Sequence, residues 1–156
     1  MISRISTASP SLAAVSLVIA AFTPSVAQAA EKLPMDTPTM VAGVETVCTG
    51  VGVEAVNDPR WAAYPLKIVL AGEGGQYLAG AQVRVSEGDK LLVEVRCDGP
   101  WLLFKLEPAH YQVTASVNGA SVKSSAYVVA GKQGRIVLRF PALGGALSPE
   151  HIPPME

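Results

Sequence analysis

Apolar and polar residues alternate along most of the chain between residues 64 and 140, in short runs separated by glycine-bearing turns. The turns recur about every eight to twelve residues, which is the spacing of short strands in an all-β domain. A period of two places every second side chain on one face of a strand. We therefore predict an all-β fold in which seven to eight antiparallel strands pack as a sandwich.

The inward face of each strand can be assigned from this alternation. The predicted core residues are Leu66, Ile68, Leu70, Ala81, Val83, Val85, Leu91, Val93, Val95, Cys97, Leu102, Phe104, Leu106, Tyr111, Val113, Ala115, Val117, Val122, Ala126, Val128, Ile136, Leu138 and Phe140. Asn118-Gly119 is the clearest turn signal, because a two-residue type I′ hairpin loop needs positive φ at both positions. Residues 44–56 are apolar and β-branched around Gly50 and Gly52, which predicts a bent or bulged first strand.

The two ends of the chain lack the alternation. One cation, Arg4, precedes an apolar run at residues 12–22 and then the small residues Ala27-Gln28-Ala29, the pattern of a cleaved secretory signal peptide. The run is shorter than the roughly 20 residues that span a bilayer, although an N-terminal anchor that stays in the membrane is the alternative. The predicted organisation is a signal peptide at 1–29, a flexible lead-in at 30–43, the sandwich domain at 44–140 and a disordered tail at 141–156.

The predicted leader places the mature protein in the periplasm or outside the cell, with no stable membrane insertion after cleavage. The whole chain has 12 basic and 13 acidic side chains, and cleavage removes Arg4, which leaves 11 against 13 and a formal charge of −2. Charges of both signs are interspersed and form no basic patch, so we expect no nucleic-acid partner.

The only cysteines are Cys48 and Cys97, and both follow the predicted cleavage site. Export to an oxidising compartment favours a disulfide between them. Such a bond would close a loop of about 49 residues and contribute about 4 kcal/mol in the chain-entropy description. Two buried free thiols are the main alternative, and catalytic or metal-binding thiols are a lesser one.

Two segments resemble the carboxypeptidase regulatory-like domain. They are GQYLAGAQV at residues 75–83 and LEPAHYQV at residues 106–113, where Ala109 stands at a position that is usually glycine in that family. The resemblance extends over residues 66–140. It implies a sandwich of the transthyretin-like (prealbumin-like) and immunoglobulin-like type. It also implies a non-catalytic accessory module, here a stand-alone exported bacterial protein.

We find no spacing that predicts catalysis, a metal site or a cofactor. The only histidines are His110, at a turn, and His151, in the predicted tail, and they are too few for a three-ligand zinc site. No G-x-S-x-G or S-x-x-K motif is present. A transthyretin-like hydrolase is the enzymatic alternative; those enzymes end in a Tyr-Arg-Gly-Ser motif, whereas this chain has Arg139-Phe140-Pro141.

Trp61 and Trp101 are the candidate binding residues. Trp101 lies in the register opposite to Leu102 and Phe104, which predicts the solvent-side face, and Trp61 follows the turn at Pro59. Exposed aromatic rings stack on sugars or anchor protein partners, whereas the alternative is that both cap the core. We therefore predict a non-catalytic module that binds a protein of the cell envelope, with carbohydrate binding as the second hypothesis and the hydrolase as the third.

Overall fold

A computed structural model describes residues 29–141, which form two packed β-sheets. The strands are β1 (Glu31–Lys32), β2 (Thr39–Val41), β3 (Val44–Thr49), β4 (Leu66–Gly72), β5 (Ala81–Glu87), β6 (Lys90–Cys97), β7 (Trp101–Phe104), β8 (Ala109–Val117), β9 (Ala120–Val128) and β10 (Gly134–Phe140). Sheet A has the order β1-β6-β5-β8-β9, and sheet B has the order β10-β4-β7-β3-β2. The prediction of an all-β sandwich is confirmed. The predicted signal peptide and tail lie outside the described residues, apart from residues 29 and 141.

The described residues contain ten strands rather than the predicted seven or eight, and the sheets are mixed rather than purely antiparallel. β1 pairs with β6, and β10 with β4, in parallel. Residues 30–43, predicted to be a flexible lead-in, contribute β1 and β2. These strands have two and three residues, so they are too short to show a period in the sequence. The parallel pairs were missed because alternation assigns faces and not partners.

The core lies between the sheets and contains nearly all of the predicted inward-facing residues. Leu91 is an exception, with 44% of its surface exposed. The ladder between β5 and β6 shifts by one residue, with Ser86 opposite Leu91 and Val85 opposite Val93. Such a bulge reverses the faces of the residues on one side of it, so the alternation read through Leu91 was wrong there.

The middle strands of sheet B, β3, β4 and β7, are largely buried on both faces, because residues 50–65 cross the outer face there. The outer face of β10 is not covered in this way, and its Arg135 and Arg139 are exposed. The covering segment, residues 50–65, contains the helix α1 (Val53–Val56) and a 3₁₀ helix at Pro59–Ala63. Its Trp61 and Tyr64 pack on Val47 and Leu103 of the sheet in a second, smaller apolar cluster. The prediction of one bent strand over residues 44–56 is therefore correct only as far as Thr49.

The predicted disulfide is confirmed. Cys48 in β3 of sheet B is bonded to Cys97 in β6 of sheet A, with 5.4 Å between the two Cα atoms. The bond therefore ties the two sheets together directly. It does so beside the short strands β1 and β2, which close the same side of the sandwich.

Two turns follow from their local chemistry. Asn118 and Gly119 have φ of +46° and +81° and join β8 to β9 as the predicted two-residue hairpin. Ala109, which stands where the resembled family has glycine, is not among the residues with positive φ and begins β8 instead. The hydroxyl of Tyr111 donates to the backbone oxygen of Glu107 at 2.7 Å, which holds the turn before β8.

Candidate functional site

Neither tryptophan presents a free ring face. Trp101 does lie on the outer face of sheet B, but only 7% of it is exposed. The backbone of Gly50 packs against its indole. The Lys67 ammonium lies 3.1 Å from the centroid of the ring, and Tyr77 contacts the indole edge-on at 6.3 Å. The expectation that Trp101 faces solvent is therefore wrong.

Trp61 is 4% exposed and has a structural role in the covering segment. Its indole nitrogen donates to the backbone oxygen of Ala55 at 2.7 Å, its ring lies 6.2 Å from that of Tyr64, and the Arg60 guanidinium stacks at 4.7 Å. Both tryptophans thus pack, as the alternative interpretation held, although on the outer face of sheet B rather than at the ends of the core.

Two hydrogen-bond donors on the outer face of sheet B, the Lys67 ammonium and the Trp101 indole nitrogen, lie in environments that are unfavourable to them. Burial lowers the pKa of Lys67, and the positive charge of Arg135 beside it lowers it further. The indole nitrogen of Trp101 is buried and has no hydrogen-bond partner among the described residues. Buried polar groups nearly always have a hydrogen-bond partner. A buried donor without one, next to a cation, is therefore an exception to that rule.

The residues examined for chemistry are dispersed. His110 lies exposed on β8 with its ring 4.4 Å from that of Tyr127, while His151 falls outside the described residues. Asp58 caps the 3₁₀ helix, because its side chain accepts a hydrogen bond from the backbone nitrogen of Arg60 at 2.9 Å. Within residues 29–141, no group of three or more His, Cys, Asp or Glu side chains could hold a metal ion.

An open cleft of about 570 Å³ lies at one end of the sandwich. It is bounded by the end of the covering segment, the β7–β8 connection and the β9–β10 turn. Buried Leu106 and Val128 belong to its lining, with Lys105 and Lys132 at exposed positions. Gln133 braces one wall, because its side-chain amide donates to the backbone oxygens of Trp61 at 2.7 Å and Tyr64 at 2.9 Å.

The cleft leads directly into β10, an edge strand of seven residues whose one hydrogen-bonded neighbour among the described strands is β4. β10 also packs against β9 of the other sheet. The backbone nitrogen of Gly134 donates toward β4, to the oxygen of Pro65, at 2.7 Å. Successive residues of a strand direct their backbone groups to opposite sides. Arg135, Val137 and Arg139 therefore direct their backbone N–H and C=O groups to the free edge.

The side chains of these three residues also share the outer face of sheet B, because Ile136, Leu138 and Phe140 turn inward. Arg135 and Arg139 are exposed and Val137 is half-buried. The sequence showed these residues only as the outward partners of the last strand. That the strand forms an edge depends on its pairing with β4, and no local pattern reveals that pairing.

A scan against models of known protein families and a search of curated proteins each find no match. Among the described residues, no helix is long and apolar enough to cross a membrane. The Cys48–Cys97 disulfide is compatible with a location outside the cytoplasm. The fold and its surfaces are therefore the basis for a functional assignment.

Proposed function

We propose that this protein is a non-catalytic, exported module of the bacterial cell envelope, periplasmic or secreted, that binds another protein by accepting a strand at the free edge of β10. The observation that carries the proposal is the asymmetry of the sandwich. One side ends in strands of two and three residues beside a disulfide, whereas the other ends in strands of nine and seven residues. Long unpaired edges are the usual templates for strand addition.

Of the two long edges, β10 is the better candidate. By the hairpin register, β9 directs the backbone groups of Ser121, Lys123, Ser125 and Tyr127 to its free side, and the side chains there are two serines, one lysine and one exposed tyrosine whose ring already contacts His110. β10 has one guanidinium group on each side of a half-buried valine, and the cleft opens at the first residue of this strand. That combination of apolar contact and fork-shaped donors is typical of protein interfaces.

The sequence features are consistent with this role. The signal-peptide pattern, the disulfide and the resemblance to the non-catalytic carboxypeptidase regulatory-like domain all favour an exported accessory protein. A carbohydrate site at Trp61 and Trp101 loses its support, because both rings are covered.

Replacing Val137 by proline tests the proposal. Its N–H points to the free edge, so Val137→Pro removes a donor from the incoming strand without breaking the ladder to β4. Val137→Thr is the matched control that keeps the N–H. With a photo-crosslinking residue in place of Lys132, the otherwise unchanged protein and Val137→Thr should yield the same covalent adduct with an envelope protein in living cells. Val137→Pro should yield none. An adduct that survives Val137→Pro would rule out strand addition at β10.

A further inference from the structure

We infer that the strand received by β10 is an acidic segment of a protein partner, with acidic, apolar and acidic side chains at alternate positions. Arg135 and Arg139 would bind the two carboxylates, and Val137 would contact the apolar residue. The inference rests on the proposed strand addition and specifies which polypeptides the edge accepts.

The spacing of the three side chains fits an extended polypeptide. Arg135 and Arg139 are four residues apart on one face of a strand, a separation of about 13 Å. A strand added beside β10 has side chains at the same spacing on the same face. Its residues opposite Arg135 and Arg139 are therefore also four apart, with one residue opposite Val137 between them.

The cations of this face do not take part in four ion pairs identified among the described residues. Those pairs are Lys32–Asp98, Arg60–Asp58, Arg84–Glu94 and Lys105–Glu45. None of them uses Arg135, Arg139 or Lys67. Lys67 is instead the direct cross-strand neighbour of Arg135, and like charges in that position repel. A carboxylate placed over the pair would relieve that repulsion.

The same face contains the unpaired indole donor. Val137 lies opposite Val69, and Val69 lies opposite Trp101 on the next strand. The Lys67 ammonium covers the Trp101 ring, two strands from the free edge. Arg135 and Lys67 therefore lie side by side on adjacent strands of this face, and the exposed Arg135 is the cation that an acidic side chain at the edge would meet first.

The cations also decide against pairing between two copies of this chain. An antiparallel pair of β10 strands centred on Val137 would place Arg135 of each copy opposite Arg139 of the other. Like charges directly opposite each other destabilise a strand pair, and charged edges are a common device against self-association. With an acidic strand, the same two guanidinium groups can instead form bidentate hydrogen bonds to carboxylates.

Binding of a synthetic peptide to the mature exported protein tests the inference. The peptide Thr-Thr-Glu-Thr-Val-Thr-Glu-Thr-Thr carries the predicted pattern on one face, and the control has Gln in place of both Glu residues. By fluorescence anisotropy we expect the Glu peptide to bind at least tenfold more tightly than the Gln peptide. Binding should weaken in 0.5 M salt, because exposed charge pairs are screened.

Charge reversal identifies the residues. Arg135→Glu combined with Arg139→Glu should weaken binding of the Glu peptide at least tenfold and should permit binding of a peptide with Lys at both positions. The control, Lys123→Glu combined with Arg96→Glu, makes the same change of net charge on sheet A and should leave binding unchanged. Circular dichroism and urea unfolding verify that each variant is folded.

The outcomes separate this inference from the proposed function. Equal binding of the Glu and Gln peptides, lost in Val137→Pro, would overturn the acidic preference and leave strand addition standing. Charge-dependent binding that survives Val137→Pro would support an acidic ligand and contradict the strand-pairing route. Failure of both peptides to bind would overturn the inference, while the crosslinking experiment would still decide the proposed function.

Discussion

At the scale of single residues, the contact between Tyr64 and Glu45 shows how burial and hydrogen bonding set the chemistry of a group. The phenol donates to the carboxylate at 2.7 Å. Burial raises the pKa of Tyr64 above its usual range, and the hydrogen bond and negative charge of Glu45 raise it further. The same hydrogen bond is the main cause of a lowered pKa at Glu45, with Lys105 at 3.6 Å contributing.

We expect this contact to make the free energy of unfolding depend on pH in the acidic range. The pKa of Glu45 in the folded protein lies below its ordinary value of 4.5, so the unfolded chain takes up the proton first as pH falls. The stabilisation is present above about pH 4.5 and is lost as pH falls through the lowered pKa. In urea unfolding at pH 6 and pH 3, Glu45→Gln should lose less stability than the unsubstituted protein over this interval.

The exposed Glu54 of α1 supplies the control for that measurement. Glu54→Gln removes a carboxylate from the same part of the molecule without breaking the bond from Tyr64. It should keep the acid dependence of the unsubstituted protein. Equal losses in the Glu45 and Glu54 variants would mean that the contact with Tyr64 does not govern acid stability.

Trp101 marks the limit of prediction at this scale. Its register relative to Leu102 and Phe104 was read correctly, and it does lie on the outer face of its strand. Its exposure was not predictable, because the cover comes from Gly50 and Lys67, which lie far from it in the sequence. Alternation reports which face a residue occupies and not what lies on that face.

At the scale of elements, the covering segment over sheet B depends on a close approach between Gly50 and Trp101. Gly50 has φ of +97°, and a Cβ atom added there would lie 2.7 Å from Cγ of Trp101. Glycine is therefore required at position 50 for two reasons. It adopts a positive φ without strain, and it leaves room for the Trp101 ring. The contact sets where the chain leaves β3 and turns back across the sheet.

Replacing Gly50 by alanine should separate these two requirements from each other. Gly50→Ala should lower the free energy of unfolding by about 2–4 kcal/mol, combining backbone strain with overpacking. Gly52→Ala is the matched control, since Gly52 has φ of +88° and no atom lies within 4 Å of the added Cβ. It should cost only about 1 kcal/mol of strain. Urea unfolding measures both, and equal losses would show that packing on Trp101 contributes nothing.

The strands were predictable where each is long and half-buried, as in β5, β8 and the Asn118-Gly119 hairpin. The short elements were not. α1 and the 3₁₀ helix have four and five residues, below the length at which helical periodicity is recognisable. The β10 edge could be predicted as a strand with outward arginines, but its position required long-range pairing that no local signal encodes.

At the scale of the whole molecule, the two sides of the sandwich differ. The disulfide, β1 and β2 close one side, where Leu33 is buried and its nitrogen bonds to the oxygen of Arg96 at 2.9 Å. Neither long edge strand on the opposite side contains a cysteine, so no disulfide links the two sheets there. A covalently closed side and an opposite side that ends in two long edge strands are consistent with the proposal that the protein receives a strand without unfolding.

Removing the disulfide should reveal how much this asymmetry depends on it. Cys48→Ala combined with Cys97→Ala should lower the free energy of unfolding by about 4 kcal/mol, because the bond closes a loop of about 49 residues. Treating the unsubstituted protein with a reductant should give a similar loss in urea unfolding. A loss below about 1 kcal/mol in the double variant would show that the packed short strands hold this side by themselves.

The parallel pairing of β10 with β4 also has a consequence for how the protein is made. Gly134 meets Leu66, a partner far earlier in the chain, and such distant contacts form late and slowly. Until β10 has been synthesised, β4 has an open flank and the edge at β10 does not yet exist. A strand could therefore add at this edge only after β10 has folded onto β4.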